Sequence, residues 1–204
     1  MSPQNPVVQR RHFLSAVGVT ATAGIAGCVT ASSQAMQDLT ASSPAFDAGE
    51  ELPVRFTCEG EGISPPFGIE HVPESAVSLA VIAKADLGGI TKPTLWTLWN
   101  VPVGTERIPA NIPRVPTVSS LDGALQGKRR GGEVGYIPPC PPVEQTYTHW
   151  FQIYAVNKSL TVSGGSTHET AIEEIEAGVL ASTRISVPVT RPLGTRETLE
   201  TTDR

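Results

Sequence analysis

Apolar residues occur in short runs separated by proline and glycine, a pattern typical of a chain built from strands and turns. Three runs have the length of strands: 77–83, 95–101 and 150–156. The first is apolar at nearly every position, which is typical of a strand buried on both faces. A fourth run, 185–189, contains Pro188 and is predicted to be an edge strand, because proline cannot donate to a ladder. Many short strands separated by turns predict a mostly-β sandwich or barrel.

One segment near the C-terminus has helical periodicity instead. Ser166 and Glu169 have the spacing of a capping box, in which the two side chains bond the first backbone amides of a helix. The apolar residues that follow recur at helical spacing: Ile172, Ile175, Val179 and Leu180. The sequence therefore predicts one amphipathic helix that includes these residues.

The N-terminal segment carries export signals. Arg10 and Arg11 form a twin-arginine signal ahead of an uncharged stretch, 13–27, that is diluted with glycine, alanine and threonine. This stretch is too short and too weakly apolar for a spanning helix. Residues 25–28 read Ile-Ala-Gly-Cys and resemble a lipobox, in which cleavage before Cys28 leaves its thiol available for a lipid. The alternative is a plain signal peptide with an incidental cysteine.

These signals divide the chain into four predicted parts. They are a twin-arginine signal peptide with lipobox (1–27), a flexible tether (28–45), a folded domain (46–192) and a polar tail (193–204). A diacylglycerol on Cys28 would bring two acyl chains, which give a stable anchor where one chain binds only marginally. We therefore expect export by the twin-arginine route and attachment to the outer face of the cell membrane.

Composition narrows the classes of function. The chain has 204 residues and a net charge of −5, which argues against a nucleic-acid binder because such a protein needs a basic face. Its few histidines lack metal-ligand spacing, and no Gly-x-Ser-x-Gly elbow or glycine-rich phosphate loop is present. Cys140 with His149 is the one conceivable nucleophile pair. We expect a protein without metal or cofactor that is not an enzyme.

The remaining cysteines favour a disulfide. Lipidation of Cys28 leaves Cys58 and Cys140, an even pair in an exported protein. The alternative is two unpaired buried thiols, each behaving as a small hydrophobe.

Three ordered motifs identify a family. Residues 52–66 contain Phe-Thr-Cys-Glu-Gly and then Ile-Ser-Pro-Pro, 100–102 read Asn-Val-Pro, and 135–142 read Gly-Tyr-Ile-Pro-Pro-Cys-Pro-Pro. Over 47–192 the chain resembles the phosphatidylethanolamine-binding family, in its prokaryotic Raf kinase inhibitor-like branch. The resemblance implies a Greek-key β-sandwich with a few peripheral helices. It also implies a small surface pocket for phosphate or phosphoethanolamine head groups.

The chain departs from the family where that pocket is built. The family uses an Asp-Pro-Asp motif, a His-Trp pair and a His-Arg pair to hold its anion. Here the first motif retains only Asp86, Leu95-Trp96 replaces the second, and 147–149 read Tyr-Thr-His in place of the third. The pocket is therefore predicted to be degenerate, with a small anionic or amphipathic ligand. The candidate ligand-binding residues are Asp86, Trp96, Tyr136, Tyr147 and His149.

Purely structural roles stay open for three of these residues. Asp86 would be an acid in a turn, Trp96 a core residue and His149 an ordinary strand residue. The basic run 128–130 is a solvated loop or a contact for lipid head groups. An alternative function is a surface-tethered protein-interaction module such as an inhibitor of secreted proteases. In that case an exposed loop, for example 113–132, would carry the affinity.

Overall fold

A six-stranded antiparallel sheet and a three-stranded antiparallel sheet form the fold in the computed structural model, which describes residues 39–193. In chain order the strands are β1 (Thr40–Ser42), β2 (Phe67–Glu70), β3 (Ser78–Asp86), β4 (Thr94–Pro102), β5 (Arg107–Ile108), β6 (Thr117–Val118), β7 (Ala124–Gln126), β8 (Thr146–Val156) and β9 (Val179–Thr190). The larger sheet has the order β6-β7-β4-β3-β8-β9 and the smaller one β1-β2-β5. One helix, α1 (His168–Glu176), and two single 3-10 turns, Val54–Phe56 and Ser119–Leu121, complete the described part.

The inner face of the larger sheet packs against the smaller sheet. Leu79 and Val81 of β3 and Phe151 of β8 share one core with Phe67 and Ile108 of the smaller sheet. The rings of Phe67 and Phe151 lie 5.2 Å apart between centroids. The predicted mostly-β sandwich is therefore confirmed, and residues 39–193 contain one α-helix where a few were expected.

The outer face of the larger sheet carries a second core under α1. Ile82, Trp99 and Tyr154 pack there against Ala171 and Ile175 of the helix. Because β3 contributes to both cores, it is buried at nearly every position, as its continuous apolar run predicts. Strand alternation places Trp96 in the first core and Trp99 in the second.

β9 lies at the edge of the larger sheet, which confirms the prediction for 185–189. Its outer side is covered by an extended segment, since the amides of Gly49 and Leu52 donate to the carbonyls of Ser186 and Pro188. The edge is thus protected without a full partner strand.

The helix differs from the prediction at both ends. Thr167, and not Ser166, is the N-cap, and its side chain accepts a hydrogen bond from the amide of Thr170. Val179 and Leu180 are the first residues of β9. The helix ends earlier because the chain must turn back to pair with β8. Gly178 makes this turn, where a Cβ would lie 2.9 Å from the side chain of Val156.

The predicted tether, 28–45, is too long. Thr40–Ser42 forms β1 and pairs with β2, and Leu39 is buried in the core. The polar composition of this short strand conceals it, because its hydrogen bonds come from β2 and its side chains are largely exposed. The predicted signal peptide with Arg10, Arg11 and Cys28, the rest of the tether, and tail residues 194–204 lie outside the described residues. Within 39–193 no helix is long and apolar enough to cross a membrane.

Candidate ligand-binding site

Two of the predicted ligand-binding side chains direct their polar groups into the protein. Trp96 is fully buried, and its indole Nε1 donates to Gln126 Oε1 at 2.8 Å. Tyr136 is 2% exposed, and its hydroxyl donates to the carbonyl of Phe56 at 2.9 Å. Burial raises the pKa of Tyr136. Both donors are therefore used internally, and neither Trp96 nor Tyr136 has a side-chain donor left for a ligand.

His149 is also a core residue. It is 3% exposed and lies beside Ala85 and Val187 on the inner face of the sheet. Its ring Nδ1 lies 3.1 Å from the carbonyl oxygen of Tyr147, to which it donates. Burial lowers the pKa of His149 and favours the neutral ring. The one donor of the neutral ring is therefore used within the protein, and His149 offers an anion no hydrogen bond.

The family-aligned surface is formed by Asp86, Leu95 and Tyr147. Asp86 forms an ion pair with Lys92 and accepts the amide of Gly88, and these bonds hold the pKa of its carboxyl below its usual range. Leu95 is half-buried. Tyr147 is half-buried as well, and its hydroxyl donates to Gln145 Oε1. At these positions the surface presents neither an imidazole nor a guanidinium group for an anion.

Cys58 and Cys140 form a disulfide with an S–S distance of 2.04 Å. The amide of Cys58 also donates to the carbonyl of Pro139 at 3.1 Å, so the two loops are joined covalently and by a hydrogen bond. Only a thiolate is nucleophilic, and the sulfur of Cys140, the candidate nucleophile, is bonded to Cys58 instead. Among residues 39–193 no group of His, Cys, Asp or Glu side chains could hold a metal ion.

A cavity of about 300 Å³ lies beside the Gly-Tyr-Ile-Pro motif. The motif is fixed because the amide of Gly135 donates to the carbonyl of Gly127 and that of Ile137 to Leu95. The lining includes Arg114, Arg129, Val134, Tyr136, Ile137 and Pro138. None of Asp86, Leu95 and Tyr147 lines this cavity.

Sequence reasoning missed Arg114 and treated Arg129 as part of a solvated run. The two arginines flank β6 and β7, which pair in antiparallel register. Residues before the first strand and after the second of such a pair lie at the same end, so the two side chains meet at one cavity. The only signal in the sequence is their position within 113–132. The sequence offers that segment as an example of an exposed loop, but it contains β6 and β7 and is built into the sheet.

A larger depression of about 680 Å³ lies on the smaller sheet. It is lined in part by Glu70, His71, Glu106 and Arg107, which are exposed and of mixed charge. None of the five predicted ligand-binding residues lines it.

Comparison with known proteins shows which family the chain is similar to. The model of the family described as phosphatidylethanolamine-binding protein matches residues 42–190. A UPF0098 protein of Methanothermobacter thermautotrophicus is 33% identical over 144 residues, which cover 69% of this chain and 91% of that protein. A UPF0098 protein of Chlamydia muridarum is 35% identical over 150 residues, covering 70% and 93%.

Solved structures agree with this assignment. A phosphatidylethanolamine-binding protein homologue from Chlamydia trachomatis matches with a TM-score of 0.64 and 26% identity, covering 74% of this chain and 97% of that one. Escherichia coli YbcL, a member of the same family, matches with a TM-score of 0.69 over 75% of this chain and 98% of its own. Its 24% identity supports the fold alone. The chain belongs to the phosphatidylethanolamine-binding protein family.

Proposed function

We propose that this protein is an exported, lipid-anchored binding protein that holds a small anionic or amphipathic ligand and catalyses no reaction. The observation that carries the proposal is the cavity of about 300 Å³ bordered by Tyr136, Ile137 and Pro138. This volume lies at the lower end of the range for ligand pockets. The family-aligned surface is the poorer candidate, because Asp86 is paired with Lys92 and Leu95 replaces a donor.

The non-enzymatic role is supported by the state of Cys140, the one nucleophile that the sequence offers, since it is bonded to Cys58. Export and anchoring are supported by the twin arginines and by the lipobox that ends at Cys28. The alternative, a tethered protease inhibitor acting through 113–132, has less support, because β6 and β7 tie that segment into the sheet.

Ligand binding is tested by thermal unfolding of the full chain carrying Cys28→Ser, with phenyl phosphate, phosphoethanolamine and neutral phenol as probes. A ligand at 100 times its dissociation constant stabilises the folded state by about 2.7 kcal/mol, which raises Tm measurably. Val134→Trp would fill the cavity and is expected to remove the shift, whereas Val77→Trp, at an exposed site outside the lining, should retain it. A shift of the same size in both variants would exclude the cavity as the binding site.

Anchoring is tested by labelling cells with a fatty acid analogue. Label should be found on the wild-type protein in the membrane fraction and be absent from Cys28→Ala. Replacing Arg10 and Arg11 by lysine should retain the protein in the cytoplasm, because the twin-arginine signal is lost. Label that persists on Cys28→Ala would disprove the lipobox.

A further inference from the structure

The chain is acidic overall, with a net charge of −5, yet cations cluster at one place. Arg114 and Arg129 line the cavity, and Lys128 and Arg130 adjoin Arg129 in the chain. Glu133 is the one acid in the lining, so cationic side chains are in excess there. A cleft with an excess of one sign of charge concentrates ions of the opposite sign. The cavity is therefore an electropositive site in a protein that otherwise repels anions.

Arg114 is held in place by the backbone around it. Its Nη2 donates to the carbonyl of Gly62 at 3.1 Å. The backbone of Gly135 packs on its stem, where a Cβ would lie 3.2 Å from its Cγ. Glu133 Oε2 is 3.8 Å from Nη1, within ion-pair distance but beyond hydrogen-bond distance, and its side chain is 87% exposed, so this ion pair is weak. A guanidinium has five donors, so most donors of Arg114 are available to a ligand.

Arg129 reaches the cavity from a short turn. The amide of Gly132 donates to the carbonyl of Arg129 at 2.8 Å. The backbone of Lys128 forms isolated β-bridges with Val134 and with Thr167, so the base of the turn is fixed. Within the described part of the chain, no carboxylate lies within ion-pair distance of Arg129. Its guanidinium therefore lacks a protein partner among these residues and offers a planar fork of donors.

Apart from Gly132 and Glu133, the remaining wall is apolar. Val134, Ile137, Pro138 and the ring of Tyr136 contribute it, and the Tyr136 hydroxyl is already bonded to Phe56. Two guanidinium groups beside an apolar wall suit a ligand with an anionic head and a compact apolar body. Planar donor forks match the paired oxygens of phosphate and carboxylate groups.

We propose that Arg114 and Arg129 together bind a small oxyanion, a phosphate or carboxylate carried on a compact apolar group, in the cavity beside Tyr136. This rests on the proposed function, which it deepens by naming the ligand class and the residues that recognise it. The site is separate from the family-aligned surface, since Asp86, Leu95 and Tyr147 take no part in its lining.

Calorimetric titration of phenyl phosphate into the full chain carrying Cys28→Ser tests the site, at matched ionic strength because exposed charges are screened by salt. Arg129→Ala should weaken binding by about tenfold or more, since charge-assisted bonds are lost. The affinity of Arg129→Lys should fall between those of wild type and Arg129→Ala, because lysine retains the charge but lacks the planar fork of donors. Arg129 is the residue to change first, because its side chain forms no hydrogen bond or ion pair with the described residues. The matched control is Arg107→Ala, which removes an exposed arginine of β5 outside the cavity.

Unchanged affinity in Arg129→Ala would overturn the proposal, and so would an equal loss in Arg107→Ala, which indicates general charge attraction. Phenol that binds as tightly as phenyl phosphate, in wild type and variants alike, would overturn it while the proposed binding function stands. Vesicles of phosphatidylglycerol in phosphatidylcholine then identify the source of the oxyanion. Binding that depends on Arg129 points to a lipid head group, and binding of the soluble probe alone points to a free metabolite.

Discussion

His168 is a buried titratable residue at the start of α1. Its Nδ1 lies 3.0 Å from Thr97 Oγ1, and its Nε2 has no hydrogen-bond partner among the described residues. Burial lowers the pKa of His168 to about 4, with the charge of Glu169 opposing and that of Arg129 adding to the effect. The ring is therefore neutral at physiological pH, and protonating it would place a charge beneath the helix.

This predicts that stability falls on acidification. Between about pH 6.5 and about pH 4 the unfolded state binds a proton at His168 and the folded state does not, so stability is lost as pH falls through this window. The loss is on the order of 3 kcal/mol. Urea unfolding across this range should show a shallower pH dependence for His168→Asn than for wild type.

His71→Asn is the matched control, since it removes an exposed histidine outside α1. His149 contributes in the same direction, because burial lowers its pKa too, so some slope remains in every variant. Equal slopes in His168→Asn and wild type would show that His168 does not titrate as inferred.

Gly127 makes the contact between Thr97 and His168 sterically possible. A Cβ there would overlap Thr97 Oγ1 and lie 3.1 Å from His168 Nδ1. Gly127→Ala should therefore lower the free energy of unfolding by about 1–3 kcal/mol, as overpacking of a filled site does. Gly104→Ala is the comparison, because a Cβ at Gly104 meets nothing within 4 Å. Denaturant unfolding of both variants measures the difference, and equal stabilities would mean that the backbone near Gly127 relaxes freely.

At the scale of elements, the sequence predicts long buried strands best. β3, β4 and β8 are long and buried, and their apolar runs predict them. β1, a three-residue strand of Thr-Ala-Ser, has no pattern to reveal it, because a short edge strand takes its hydrogen bonds from its neighbour and needs no apolar face. The end of α1 is missed for a related reason. Val179 continues the helical periodicity, but pairing with β8 requires a turn before it.

The site shows the same limit. The motif identifies Tyr136 by its place in the family, but the partner of its hydroxyl, Phe56, lies 80 residues away in sequence. Whether a strand residue such as His149 faces the core or solvent depends on register, which a one-residue slip reverses. Arg114 and Arg129 come together only through the pairing of β6 with β7. Short strands of this kind carry too little pattern to be predicted.

Ser166 and Thr167 are adjacent candidates for the N-cap of α1, and the structure uses Thr167. Thr167 accepts a hydrogen bond from the amide of Thr170, which satisfies one of the unpaired amides of the first turn. Thr167→Ala should lower the free energy of unfolding by about 1 kcal/mol. Ser166→Ala is the matched control and should change it by less than about 0.5 kcal/mol. The reverse order in urea unfolding would restore Ser166 as the cap.

For the whole molecule, the disulfide links the motif that lines the cavity to the loop 56–62, whose carbonyls hold two of the lining side chains. Cys58 lies between Phe56, which accepts from the Tyr136 hydroxyl, and Gly62, which accepts from Arg114. Cys140 lies two residues after Pro138, the last residue of the motif that lines the cavity. Folding stability and the shape of the site therefore depend on the same covalent link.

Cys58→Ser with Cys140→Ser, in a Cys28→Ser background, tests that dependence. The bonded residues are 82 apart in sequence, and in the chain-entropy model a loop of this length contributes about 4–5 kcal/mol. Urea unfolding should show a loss approaching this value, and Cys28→Ser alone should show none. Phenyl phosphate should also bind more weakly to the double variant, because Gly62 would orient Arg114 less firmly. A loss below about 1 kcal/mol would mean that the Tyr136–Phe56 and Cys58–Pro139 hydrogen bonds hold the loops without the disulfide.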